Sequence, residues 1–157
     1  MANDFSIKIN GLDELIRDAK KVGKDMSIKL KNAMVESTTG VQNDAKKVRP
    51  NSFKNQTGTL RRSIQKKVEG ANRGIVYTDE KYAPYVEFGT KPHVITPKNR
   101  KMLAFKVNGK VIFAKKVNHP GTRAYNYMRD AFNENKQKIQ NIYDRLSIRV
   151  VQELAGK

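Results

Sequence analysis

Apolar residues recur at threes and fours through the first third of the chain: Leu12, Leu15, Ile16, Ala19, Val22, Met26, Leu30, Ala33, Val41, Ala45 and Val48. That period places them on one stripe of an α-helix. The spacing predicts a single long helix ended by Pro50, with Gly23 and Gly40 inside it. Each glycine costs ~1 kcal/mol relative to alanine, so each marks a place for a kink or a frayed end. A second stripe, Tyr125, Met128, Phe132, Ile139, Ile142, Tyr143, Leu146, Val150 and Leu154, predicts a closing long helix. Thr122 is positioned to cap it, and it runs to about residue 155, roughly 50 Å at 1.5 Å per residue.

Between the stripes the period changes. Phe5, Ile7 and Ile9 alternate with polar residues and predict a short strand before Asn10-Gly11. Thr59 begins a helical turn. Residues 64–69 and 74–78 read as two strands, with Ile75 and Tyr77 on one face of the second. Tyr82 to Gly89 reads as a short helix. Asp79 is placed to cap it, Glu80 suits its first turn, Pro84 sits early and Gly89 stops it. Tyr82, Tyr85 and Val86 fall together by the three-and-four rule and are expected in the core. Asn108-Gly109 between two apolar runs is a strong hairpin signal, because both turn positions need positive φ. It sets Phe105 opposite Ile112 and Leu103 opposite Ala114, a face expected to be buried, with Lys106 and Lys115 on the other.

The expected architecture is α+β: an antiparallel sheet with a central short helix, packed against an N-terminal and a C-terminal long helix. Residues 1–157 form a single domain in this reading, with mobile loops near 50–58 and 91–101, both rich in turn formers.

Charge adds a partner to this picture. The chain carries 32 Lys and Arg against 15 Asp and Glu, +17 in all. The excess is central: residues 50–121 hold fifteen basic and four acidic side chains, and none is acidic between Glu87 and Asp130. A basic centre between nearly balanced ends points to nucleic acid or an acidic protein surface. There are no cysteines, so disulfides and thiolate metal sites are excluded. No run of ~18 apolar residues spans a membrane, and Met-Ala-Asn-Asp-Phe does not read as a signal peptide.

Catalytic chemistry finds no constellation. The two histidines, His93 and His119, lie near prolines in loops, without the spacing of a metal site. Ser37, Ser52, Ser63 and Ser147 have no nucleophile motif around them. Gly109-Lys110 leads into a strand, not the helix of a phosphate-binding loop. Asp79, Glu80 and Glu87 are the one possible carboxylate cluster, with capping the expected use of the first two. Tyr82, Tyr85, Arg100, His119 and Arg123 are the residue types of a small basic nuclease, but their spacing gives that no support. The expectation is no enzyme and no cofactor. Non-catalytic nucleic-acid binding is the rival reading: Lys106, Lys110, Lys115, Lys116 and the 98–101 loop suit phosphates, while recognition-helix and base-stacking patterns are weak.

Four motifs stand in order: Thr57-Gly58-Thr59-Leu60-Arg61-Arg62-Ser63-Ile64, then Tyr82-Ala83-Pro84-Tyr85-Val86-Glu87-Phe88-Gly89-Thr90, then Met102-Leu103-Ala104-Phe105, then His119-Pro120-Gly121-Thr122 before an aromatic-rich helix start. In that order the chain resembles the tail-component family of long-tailed bacteriophages, the neck or tail-completion proteins at the head–tail junction. It departs from the family at Ala124-Tyr125-Asn126-Tyr127-Met128, where a proline-phenylalanine pair is usual.

The resemblance implies a structural protein of the virion neck and tail, assembled in the host bacterial cytoplasm. It implies a homo-oligomeric, hexameric ring joining the head connector or stopper to the tail tube or tail terminator, with DNA passing through and no sequence recognition. Candidate contacts with other subunits or rings are Glu87, Gly89, Thr90, Lys98, Arg100, Lys101 and His119. Candidate fold-determining residues are Tyr82, Tyr85, Val86, Pro120 and Gly121.

Overall fold

A computed structural model describes residues 5–6, 11–47 and 58–156. The predicted Ile7–Ile9 strand continuation, Val48, Pro50 and all of the 50–58 loop except Gly58 lie outside them. The fold is α+β, with long helices toward both ends and antiparallel strands between them.

The first predicted helix is two. α1 spans Leu12–Val22 and α2 spans Lys24–Ala45. Gly23 separates them at φ 140°, a backbone region that favours glycine, and its N–H closes α1 on the Ala19 carbonyl. Gly40, by contrast, leaves α2 unbroken. α5 spans Tyr127–Ala155 and runs antiparallel to α2: Asp44 meets Asn135, and the Tyr143 hydroxyl points to the Met34 sulfur at 3.8 Å. A Cβ on Gly40 would lie 2.8 Å from Asn135 Oδ1, so this glycine allows close approach of the two helices.

Met26, Leu30, Met34 and Val41 from α2 and Met128, Ala131, Ile139, Tyr143 and Val150 from α5 form the centre of the core. Polar groups within it are paired. The Ser37 and Thr38 hydroxyls donate to carbonyls one turn back, at 2.7 and 2.8 Å. Asn135 donates to Asp44 at 2.6 Å and to the Ala131 carbonyl at 2.8 Å. Buried amides and carboxylates left without such partners would be costly.

Among the described residues three small sheets replace the one expected. β1 (Phe5–Ser6), β2 (Gln65–Glu69) and β3 (Arg73–Tyr77) form an antiparallel sheet in the order β1-β3-β2. The five-residue helix α3 (Thr59–Ser63) leads into it and buries Leu60. The face of β3 against α2 is Gly74, Val76 and Thr78, not the Ile75–Tyr77 face. A Cβ on Gly74 would strike the Thr38 methyl at 2.2 Å, so the glycine lets α2 lie directly on the sheet.

α4 (Ala83–Phe88) follows. Two more sheets are two-stranded: β4 (His93–Ile95) with β7 (Val117–His119), and β5 (Leu103–Val107) with β6 (Lys110–Ala114). The hairpin register is the expected one, Phe105 opposite Ile112 and Leu103 opposite Ala114. Its surroundings are not. Among the described residues β5 and β6 pack substantially only on each other, and Phe105, Ile112 and Phe113 are exposed. β4 likewise places a strand in the segment expected to be a loop at 91–101.

Candidate assembly interface

α4 is built on a short approach to the start of α5. Its N-terminal side is not capped by Asp79, which is exposed; instead the Thr78 hydroxyl accepts the Glu80 N–H at 3.3 Å. One face of α4 carries Ala83, Val86 and Glu87. Ala83 is buried, Val86 half-buried, and Glu87 only 2% exposed. The other face carries Tyr82, Tyr85 and Phe88 at successive three-residue steps, and these are 39%, 60% and 61% exposed. The expectation that Tyr82 and Tyr85 are core is therefore corrected. The inner face meets backbone at close range, where a methyl and a carboxylate fit and a phenol ring does not.

Glu87 supplies a helix cap from outside the helix. Its Oε2 accepts the Met128 N–H at 2.9 Å and its Oε1 accepts the Arg129 N–H at 3.1 Å. Those are unsatisfied donors of the first turn of α5. The local cap residue, Asn126, sits at φ 50° and makes no side-chain cap. Backbone bonds run alongside: Tyr125 N–H to the Val86 carbonyl and Asn126 N–H to the Glu87 carbonyl, both 3.0 Å. Burial pushes the Glu87 carboxyl above the usual carboxylate range, and the N–H donors and the Arg129 charge offset part of that push. Glu87, expected at a subunit contact, is thus spent inside the subunit.

Thr122, expected to cap α5, does something else. It bridges to Thr90, with N–H to carbonyl bonds of 2.9 and 3.2 Å in the two directions and the two hydroxyls 3.1 Å apart. Two glycines make the crossing possible. A Cβ on Gly89 would lie 2.5 Å from the Thr122 carbonyl oxygen, and one on Gly121 would lie 2.2 Å from that of Thr90. Both have positive φ, 71° and 88°. The two Gly-Thr pairs are the sequence feature that could have revealed this contact; Thr122 was instead expected as a helix cap.

The ladder continues to His93 and His119, which face each other across β4 and β7 with ring centres 5.0 Å apart. The Gly121 N–H donates to His119 Nδ1 at 3.0 Å, so that nitrogen is an acceptor. His93 Nδ1 lies 2.9 Å from the Lys91 carbonyl and donates to it. Beside this ladder a shallow groove of about 520 Å³ is lined by Tyr85, Gly89, Thr90, Lys91 and His93.

The structure therefore gathers Gly89, Thr90, Pro120, Gly121 and His119 at one crossing. Lys98, Arg100 and Lys101 lie in the exposed connection between β4 and β5. Around the crossing, apolar side chains remain uncovered: Tyr85, Phe88 and Val94 near it, and Phe105, Val107, Val111, Ile112 and Phe113 on the hairpin. No group of three or more His, Cys, Asp or Glu among the described residues could hold a metal ion. No helix among them is long and apolar enough to cross a membrane.

Residues 13–89 match the HK97-gp10-like family of bacteriophage tail components. The matched span covers α1 to α4 and ends at Gly89, before the two exposed two-stranded sheets and α5. No curated protein and no solved structure matches the chain. The family match takes in the Thr57–Ile64 motif and the Tyr82–Gly89 helix, and it supports a phage tail component and a tail-related structural protein.

Proposed function

We propose that the chain is a subunit of the neck or tail-completion complex: a hexameric ring that joins the head connector to the tail tube and lets DNA pass. The observation that carries this reading is the surface of residues 88–119. It exposes large apolar side chains on two-stranded sheets, and it contains no acidic residue. A sheet of two strands is marginal alone in water. Exposed large apolar side chains gathered in one segment mark a protein–protein contact.

The Gly89–Thr90 and Gly121–Thr122 crossing supports the reading in a second way. It fixes the exposed sheets to the start of α5 through backbone hydrogen bonds, so a force applied at a ring contact is passed to the long helix pair. Ring closure requires head-to-tail contacts between two different surfaces of the subunit. The aromatic face of α4 and the outer surfaces of α2 and α5, with Ile28, Ile148 and Val151 exposed, are the two we assign to it.

The test is a reconstruction of the neck of purified particles, paired with binding of the isolated protein to random duplex DNA over a range of salt. The expected result is a six-fold ring of this chain between connector and tube, with weak DNA binding. Absence from the particles, together with tight DNA binding that falls steeply with salt, overturns the reading in favour of a nucleic-acid binder.

A further inference from the structure

The β5–β6 hairpin exposes apolar side chains on both faces. Its register puts Leu103, Phe105, Val107, Lys110, Ile112 and Ala114 on one face, and Ala104, Lys106, Val111 and Phe113 on the other, so each face carries one lysine among apolar residues. Phe105 and Ile112 on the first face are 36% and 41% exposed; Val111 and Phe113 on the second are 54% and 62% exposed. A hairpin that lies on its own core buries one face and leaves the other polar. This one does neither. Its Asn108-Gly109 tip stands in open space, with nothing within 4 Å of a Cβ built on Gly109. A partner surface on one side leaves half of the apolar residues in water, so the geometry calls for cover on both.

We infer that the hairpin is an arm that inserts into a cleft of a different virion protein, apolar within and rimmed by carboxylates. The inference rests on the tail-complex reading above and names the partner chemistry of its exposed sheet. Lys106, Lys110, Lys115 and Lys116 frame the apolar residues, and the whole stretch between Glu87 and Asp130 carries no negative charge. Interfaces place apolar side chains at the centre and charge at the rim, and the rim is complementary in sign.

A second copy of this chain is the poorer occupant. The chain is +17. Its own groove between α2 and α5 is lined by Lys29, Arg145 and Arg149 against the single carboxylate of Glu36, which repels a lysine-framed arm. Duplex DNA is poorer still. Phosphates satisfy the lysines but leave Phe113, Val111 and Ile112 against a polar surface. Lysines on the edges of the arm also discourage pairing with like strands of neighbouring copies.

The experiment places a photo-crosslinking phenylalanine analogue at Phe113 and, separately, at Ile112, one on each face, in particles assembled in phage-producing cells. Purified particles are irradiated and the crosslinked peptides identified. The expected result is that both positions crosslink to one other virion protein, in segments flanked by Asp or Glu. In parallel, a Lys106→Glu, Lys110→Glu, Lys115→Glu variant lowers infectious titre about tenfold or more while the isolated protein keeps its melting curve. Crosslinks to another copy of this chain or to DNA, or intact titre in the charge-reversed variant, overturn the arm but leave the tail reading standing. Absence of the chain from purified particles overturns both.

Discussion

The carboxylate of Glu87 accepts the backbone N–H of Met128 at 2.9 Å, across 41 positions of sequence. One side chain on a six-residue helix thereby caps a helix of 29 residues. The second oxygen takes the next N–H, that of Arg129. Glu87 is 2% exposed and its bond to Met128 is buried, so water cannot replace that bond. Glu87→Ala should therefore cost about 1–3 kcal/mol, a cap plus a buried unsatisfied donor, and lower the melting temperature by roughly 3–10 °C. Thermal unfolding followed by circular dichroism measures this. An unchanged melting curve would show that the cap contributes nothing.

Two buried carboxylates should give the stability opposite dependences on pH. Burial raises the Glu87 carboxyl, so the folded chain holds that proton to higher pH than the unfolded chain does. Its contribution is full below the ordinary value of 4.5 and is lost as pH rises through the raised value. Asp44 is shifted the other way. The Lys47 ammonium bonded to it lowers its carboxyl; burial opposes this and Asn135 assists it. Its contribution is full above the ordinary value of 3.8 and is lost as pH falls through the lowered one. Relative to Glu87→Gln, the parent should lose stability as pH is raised from 4.5 upward. Relative to Asp44→Asn, it should lose stability as pH is lowered below 3.8. Urea unfolding of the three proteins across pH gives both slopes, and slopes of the same sign would refute the assignment.

Gly89 and Gly121 should be far less tolerant than Gly109. All three have positive φ, so alanine is strained at each. Only at the first two does a Cβ also run into backbone, at 2.5 and 2.2 Å, and backbone cannot swing aside. Gly89→Ala and Gly121→Ala should each cost about 2–4 kcal/mol, strain and overpacking together, whereas Gly109→Ala should cost about 1 kcal/mol at the hairpin tip. Chemical denaturation ranks the three. Equal losses at Gly109 and Gly121 would remove the role given to the crossing.

Much of the secondary structure was legible because it follows local rules. The hairpin register followed from Asn108-Gly109, and α5 from its stripe. What the chain could not reveal locally depends on residues brought from a distance. Gly23 and Gly40 carry the same intrinsic cost, and only the fold distinguishes them: one adopts φ 140° between helices, the other faces Asn135 inside a helix. The apolar alternation of the hairpin placed Phe105 and Ile112 on one face without telling whether anything covered it. At α4 the three-and-four rule grouped Tyr82, Tyr85 and Val86 as core, and of the three only Val86 packs against it. The buried face carries a methyl and a carboxylate because its neighbours are the backbone of Tyr125 and Asn126 and the N-terminus of α5. Asp44 and Asn135, the buried polar pair between the long helices, left no pattern at all.

The outer face of α4 separates stability from assembly. Tyr85 and Phe88 are 60% and 61% exposed, so their rings contribute little to the isolated fold. Tyr85→Ser and Phe88→Ser should change its stability by no more than about 0.5 kcal/mol, the usual range for exposed positions. In an assembled ring the same rings would be anchors, since aromatic side chains dominate such contacts and losing one costs ~2 kcal/mol or more. The double variant Tyr85→Ser, Phe88→Ser should therefore melt like the parent and yet fail to enter particles, or enter at well under a tenth of the parent's level by the arithmetic of ~1.4 kcal/mol per tenfold. Ala83→Leu supplies the contrast. Ala83 is 1% exposed on the inner face, so extra bulk there should destabilise the isolated protein by about 1–3 kcal/mol. Quantifying each variant in purified particles beside its melting curve decides the matter: if the Tyr85 and Phe88 variants enter at the parent's level, the aromatic face is not a ring contact.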